Sequence, residues 1–135
     1  MKKMLVVGGI ITKNSKILIA QRLPTSTNAL KWEFPGGSFE LGEDPREALV
    51  REIEEELGVK IRVKQIYEVV SHNYDFGKKG KRQILIMYFL ADYVSGGPKK
   101  IRVHDFRWVT KQEIKQFDFC DADKSVVNKM IKEGW

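Results

Sequence analysis

A glycine loop that runs straight into a carboxylate-loaded helix constrains this chain more than any other stretch. It spans residues 36–59, and local chemistry bounds its helix. Asp44 suits an N-cap, Pro45 suits the first helical position, and Glu47 stands three after the cap, as a capping box requires. Gly58 suits the left-handed residue just past the C-terminus. At about 100° per residue, Leu49, Ile53 and Leu57 make one apolar stripe that should face a core. Glu52, Glu55 and Glu56, three and four positions apart, share a neighbouring face, whereas Glu47 and Glu54 point elsewhere.

Three ionised carboxylates on one helical face repel each other, more so when the face is partly enclosed. A cation should neutralise them, and hard oxygen ligands on a rigid element suit Mg²⁺, with Mn²⁺ as a substitute. An acidic face that is merely solvated is the competing reading. The double glycine ahead of the helix and the net charge of +6 on the whole chain weigh against it.

Gly37, Glu43 and the run Arg51-Glu52-Ile53-Glu54-Glu55-Glu56-Leu57-Gly58-Val59 together resemble a complete Nudix box. The flank Trp32-Glu33-Phe34-Pro35-Gly36-Gly37 is similar to the segment entering that box in MutT-like nucleoside triphosphate pyrophosphohydrolases. The resemblance implies a Nudix fold of the α/β class: an α/β/α sandwich with a mixed β-sheet between helices. It also implies hydrolysis of a nucleoside diphosphate linked to X, most simply a nucleoside triphosphate, ordinary or modified, cut to monophosphate and pyrophosphate. By the same resemblance the metal ligands are Glu52, Glu55, Glu56 and the Gly36 carbonyl. Arg51 then acts as a brace or a phosphate contact, and Glu43 as a loop anchor or a base. Some MutT-like enzymes place a glutamate six residues before the Trp-containing strand; here that position is Arg102, with Asp105 nearby as a substitute base or accessory ligand. Glu52 itself could orient the water instead.

Substrate contacts by the same resemblance are Arg22, Phe34, Arg82 and the pair Ala122-Asp123. Phe34 would stack on a base and the arginines would hold phosphate or a base edge. Each has a plain structural alternative: core packing for Phe34, solvation for the arginines, helix N-capping for Asp123. Family members that act on ADP-ribose carry a proline after the box, and residues 60–76 contain none. ADP-ribose hydrolysis therefore ranks second; dinucleoside polyphosphate or RNA 5′-end hydrolysis stays open because the basic loops could accommodate longer anions, and a non-catalytic nucleotide- or RNA-binding module is the alternative of a different class.

A chain of 135 residues, 42% hydrophobic and 31% charged, reads as one globular domain over residues 1–135. No apolar run reaches membrane-spanning length, Cys120 has no second cysteine to pair with, and the N-terminus reads as a strand, which together suggest a cytoplasmic protein. The state expected is monomer or homodimer. The basic runs at residues 78–82 and 99–102 stand beside glycines, so they read as solvated turns; a nucleic-acid footprint would bring more interleaved aromatics.

In order, the sequence predicts strands at residues 4–11 and 16–21 joined by a hairpin turn, a polar loop at 23–28, a short strand at 31–34, and the carboxylate helix. It then predicts a strand over 59–71, a central strand over 83–93 and a short strand at 106–109. Thr110 and Glu113 repeat the capping-box pattern ahead of a short helix, and a terminal helix covers 123–132. His72 and His104 read as ordinary strand or surface residues.

Overall fold

The computed structural model describes Met1–Trp135. Alternation of apolar side chains sets its layers. In β1 (Lys2–Lys13), Ile10 and Ile11 point to opposite faces. The same split separates Ile17 and Ile19 from Leu18 and Ala20 in β2 (Lys16–Gln21). Each face of the sheet therefore needs its own cover. The helix α1 (Pro45–Leu57) closes one face with Ala48, Leu49, Ile53 and Leu57, and α2 (Asp121–Lys132) closes the other with Ala122, Val126, Val127 and Met130. Helices on both faces of one mixed sheet make the α/β/α sandwich.

The sheet also contains β3 (Trp32–Glu33), β4 (Gly36–Ser38), β5 (Lys60–Asp75), β6 (Lys81–Ser95) and β7 (Asp105–Val109). Its main order is β3-β2-β1-β6-β5, with β1 and β6 parallel and the other pairs antiparallel. One edge of β1 is divided: Val6–Gly8 pair with β4, while only Thr12 and Lys13 pair with β2. The rest of β2 turns to β7 and β3. This splaying opens the cleft described below.

The hairpin between β1 and β2 turns through Asn14 and Ser15 at φ 51° and 65°, the left-handed pair that a two-residue turn requires. Asp44 caps α1 by accepting from the Arg46 N–H at 2.7 Å, and Gly58 ends it at φ 69° with its N–H on the Glu54 carbonyl. Leu49, Ile53 and Leu57 are fully buried, as the stripe requires.

Several expectations are corrected. The predicted capping box at Asp44 does not close, because Glu47 is solvent-exposed and makes no bond back to the cap. The pattern at Thr110 does close: the Thr110 N–H donates to Glu113 and the Glu113 N–H donates to Thr110 Oγ1, ahead of a single 3₁₀ turn at Ile114–Gln116. The β5–β6 ribbon outruns its apolar core at both ends, since backbone pairing continues through polar residues as far as Asp75 and Lys81. The basic run at 99–102 is more than a solvated turn. Its Lys99 and Arg102 N–H groups donate to the Leu57 and Glu56 carbonyls, two of the orphan acceptors at the end of α1.

Candidate active site

A cleft of about 500 Å³ runs along the α2 face of β1 and β6. Its acidic end is built by α1 meeting β4. Gly37 packs so closely on the Glu52 carboxylate that a Cβ there would collide with it, which gives this glycine a steric reason. A Cβ on Gly36 would likewise strike the Val7 carbonyl. Glu52 and Glu56 line the cleft, while Glu55 stands outside the lining.

Arg51 organises this end. Its Nε and Nη2 donate to the two Glu43 carboxylate oxygens at 2.9 and 3.1 Å, and its Nη1 reaches Glu52 at 3.0 Å and Glu55 at 3.2 Å. The fork thus ties the box loop to α1. Arg102 adds a second cation 3.5 Å from Glu55. Glu43 is held below the usual carboxylate range by the Arg51 bonds. Glu52 is shifted the other way by burial, against the pull of Arg51.

Glu56 is the exception at this end. Its Oε2 is buried with no hydrogen-bond partner. Burial, reinforced by the charges of Glu33 and Glu52, pushes its carboxyl up to about 9. No three carboxylates converge into a ready-made cation cage, because Arg51 draws Glu52 and Glu55 to one side while Glu56 stands apart.

The middle of the cleft is a polar island in the apolar core. Asp123, 5% exposed, accepts at Oδ1 from the Phe34 N–H and from the Tyr88 hydroxyl, each at 3.2 Å. Burial raises its carboxyl well above the ordinary aspartate value, and the nearby Glu33 charge adds to the shift. Arg22 holds Glu33 at 3.0 Å and also donates to the Thr27 carbonyl and hydroxyl, fixing the loop that walls the cleft. Glu33 is raised by burial and restrained by Arg22. The Tyr74 hydroxyl accepts from the Ala122 N–H, satisfying a donor at the start of α2.

Of the residues singled out in the sequence, the fold brings Arg22, Phe34, Gly36, Glu52, Glu56, Arg82 and Asp123 to one cleft. Glu43, Arg51 and Glu55 form the network behind its acidic end. Asp105 is not brought there. It stands at the start of β7, bonded to the Phe106 N–H and flanked by Lys100 and Arg107 at 3.5 and 3.3 Å. Phe34 is 3% exposed and packs on Phe119 and Tyr88, so its ring belongs to the core at the cleft floor. Asp123 does not cap α2; Cys120 holds that position without a side-chain bond. Burial also pushes the Cys120 thiol up, away from the thiolate form that a nucleophile needs. Sequence reasoning passed over Glu33 and Tyr88. The signal for each was a polar group inside a segment reading as buried strand, which must find a partner.

The NUDIX domain family model matches residues 2–130. The chain belongs to the Nudix hydrolase family. This Nudix hydrolase is 30% identical over 131 residues to an 8-oxo-dGTP diphosphatase of Escherichia coli K12, covering 96% of this chain and 98% of that protein. It is 35% identical over 126 residues to a CTP pyrophosphohydrolase of the same organism, covering 91% of this chain and 87% of that one. The solution structure of the E. coli ORF135 protein superposes with a TM-score of 0.77 at 34% identity, covering 98% of this chain and 91% of that one. Nudix hydrolases generally use a divalent metal. The donor set fits such an ion: hard carboxylate oxygens, one of them buried without a protein partner, beside a glycine loop with no side chain in the way. No helix is long and apolar enough to cross a membrane.

Proposed function

We propose that this Nudix hydrolase converts a nucleoside triphosphate to monophosphate and pyrophosphate with Mg²⁺, Mn²⁺ serving in its place. The observation that carries the reading is the unpartnered Glu56 Oε2, in the same cleft as the buried Asp123. One end of that cleft is suited to a cation and a diphosphate, and the middle is suited to a base.

Glu52, Glu55, Glu56 and the Gly36 carbonyl would hold the metal, which when bound supplies charge stabilisation on phosphoryl oxygens. Arg51 positions these carboxylates and fixes the loop through Glu43. Bent to that work by four hydrogen bonds, it acts as a brace and not as a phosphate contact. Arg22 is similarly committed to Glu33 and Thr27, so its role is to hold the cleft wall. Asp105 is not on the cleft lining, so the water-orienting role is given to Glu52, one of the carboxylates that are.

Asp123 reads the base. Both protein donors converge on Oδ1, leaving Oδ2 to the ligand. Burial raises its carboxyl and so favours the protonated form, in which Oδ2 can donate to a base oxygen or ring nitrogen as well as accept. An oxidised purine and a pyrimidine both offer such an edge, and the two E. coli relatives are named for those two classes. The test is a panel of ordinary and oxidised nucleoside triphosphates with Mg²⁺ or Mn²⁺, products weighed by mass spectrometry. Monophosphate plus pyrophosphate from at least one triphosphate is the expected result; no hydrolysis across the panel overturns the reading.

A further inference from the structure

Tyr88 is a polar residue where the strand pattern calls for an apolar one. It stands between Ile86 and Leu90 on the α2 face of β6, 0% exposed, and lines the cleft. Its cross-strand partner on β1 is Gly8, and the glycine lets the ring lie there: a Cβ on Gly8 would come within 3.0 and 3.1 Å of Tyr88 Cδ1 and Cε1. The Phe34 ring packs against it edge-to-face, with centroids 6.0 Å apart. A seated ring fixes its hydroxyl, because the oxygen lies on the ring axis. At that point the hydroxyl donates to Asp123 Oδ1 at 3.2 Å, and it is the sole side-chain donor to Asp123. Burial, with the Asp123 charge behind it, raises the Tyr88 hydroxyl, so Tyr88 stays the donor of the pair.

Two donors therefore meet on one oxygen, since the Phe34 N–H also ends at Oδ1. Together they occupy both lone pairs of Oδ1. Oδ2 makes no protein hydrogen bond and, unlike Glu56 Oε2, is not sealed from solvent. Any proton on the carboxyl then belongs on Oδ2, at the end that meets a ligand. Packing does not require this arrangement. A phenylalanine at 88 facing an apolar residue at 123 would fill the same floor with nothing to desolvate, and exchanging both polar partners for apolar groups of the same shape is close to neutral. What the polar pair adds is an oriented carboxyl, with one oxygen held and the other open to the cleft.

We propose that Tyr88 is a positioning residue that sets base preference: its hydroxyl holds one oxygen of Asp123, so that the other reads a single exocyclic group of the base. The reading of a base by Asp123 rests on the function proposed above; the seating of Tyr88 between Gly8 and Asp123 does not. The direction of the effect follows from the hydrogen bonding. A donor on Oδ1 favours the ionised carboxyl, which accepts from an amino group, whereas burial favours the neutral acid, which donates to an oxo group. Loss of the hydroxyl removes one of the two donors and shifts recognition toward oxo-bearing bases.

The experiment is calorimetric titration of the whole protein with nucleoside monophosphates in pairs that exchange an exocyclic amino group for an oxygen, CMP with UMP and AMP with IMP. The parent is compared with Tyr88→Phe, which keeps the ring on Gly8. In the pair that the parent distinguishes, the affinity ratio should move toward the oxo member by roughly fivefold, the effect of one hydrogen bond. Made in an Asp123→Asn background, the same substitution should move the ratio by less than about twofold, because Tyr88 acts through a carboxyl that is no longer there. A ratio that stays put, or moves toward the amino member, overturns the proposal. So does a uniform loss of affinity for every nucleotide, which marks Tyr88 as structural, and so does an equal shift in both backgrounds. A parent that distinguishes neither pair overturns it as well. If the parent hydrolyses no triphosphate yet shows the expected shift, the hydrolase reading falls and Tyr88 keeps its role. Hydrolysis with an unmoved ratio leaves that reading standing and removes this one.

Discussion

The two helices that cover the sheet carry acids for opposite purposes. On α1 the carboxylates lie at a solvent-accessible end, held by Arg51 and Arg102, and the one that escapes this network, Glu56, has a buried oxygen with nothing to bond. On α2 the single buried acid, Asp123, is satisfied from within by Tyr88 and the Phe34 backbone. Burial raises both groups. The difference lies in who answers for the cost: the fold itself supplies partners for Asp123, whereas Glu56 is answered only by something from outside. An acid answered by the fold contributes to stability, and one left unanswered is suited to a ligand.

The largest test of this contrast is catalytic. Glu52→Gln and Glu56→Gln should each lower turnover of the best triphosphate by on the order of 10³-fold, the several kcal/mol expected when a metal-assisted site loses an anionic ligand. Because neither side chain is held by a partner essential to the core, melting temperatures should stay near the parent value. Parent-level turnover in both variants would break the assignment of α1 as the catalytic helix.

Asp123 should behave in the reverse manner. Asp123→Ala strands the Tyr88 hydroxyl and the Phe34 N–H in the core, at about 1–3 kcal/mol for each unsatisfied group. A total near 3 kcal/mol lowers the Tm of a domain this size by roughly 10 °C. Asp123→Asn keeps an acceptor for both donors and should hold most of the stability while shifting base preference. Thermal scans of the pair decide the matter. Equal Tm values for the Ala and Asn variants would show that the two hydrogen bonds contribute nothing.

A smaller effect separates the charge from the hydrogen bonds. The groups facing Asp123 are Glu33 from β3, Arg22 at the end of β2, Tyr88 from β6 and Cys120 at the start of α2. Its folded carboxyl is raised, so the folded chain keeps a proton that the unfolded chain releases above about pH 4. That stability is fully present below pH 4 and is lost as the pH rises toward the raised value, at up to about 1.4 kcal/mol per pH unit. Asp123→Asn cannot titrate and should flatten the slope of unfolding free energy against pH. Glu33, raised in the same direction, keeps some of it. A slope unchanged by the substitution would place the titrating group elsewhere.

How much of this was legible in the chain depends on how far apart the partners lie. The boundaries of α1 and its buried stripe follow from residues within one or two turns, and so does the charged face, so local reading recovered them. The cleft's polar island does not follow, because its bonds join Phe34 and Tyr88 to Asp123 across 89 and 35 positions. Nothing local in Trp32-Glu33-Phe34 reveals that Glu33 will meet Arg22, or that Phe34 will offer its N–H while its ring is lost to the core. Asp105 lies off the cleft lining, a placement that proximity in sequence to the Trp108 strand does not reveal, because it says nothing of which edge of β2 that strand will join.

The smallest prediction concerns the helix starts, where the two helices differ again. Asp44 accepts from the Arg46 N–H at 2.7 Å, whereas Cys120 gives α2 no side-chain bond and Tyr74 answers one of its donors from across the sheet. Asp44→Ala should therefore cost about 1 kcal/mol. Glu47→Ala should cost almost nothing, since the reciprocal half of the box is never made. Urea titrations of both variants measure this. A Glu47→Ala loss as large as that of Asp44→Ala would mean that the box closes in solution and that α1 is capped from both ends of the motif.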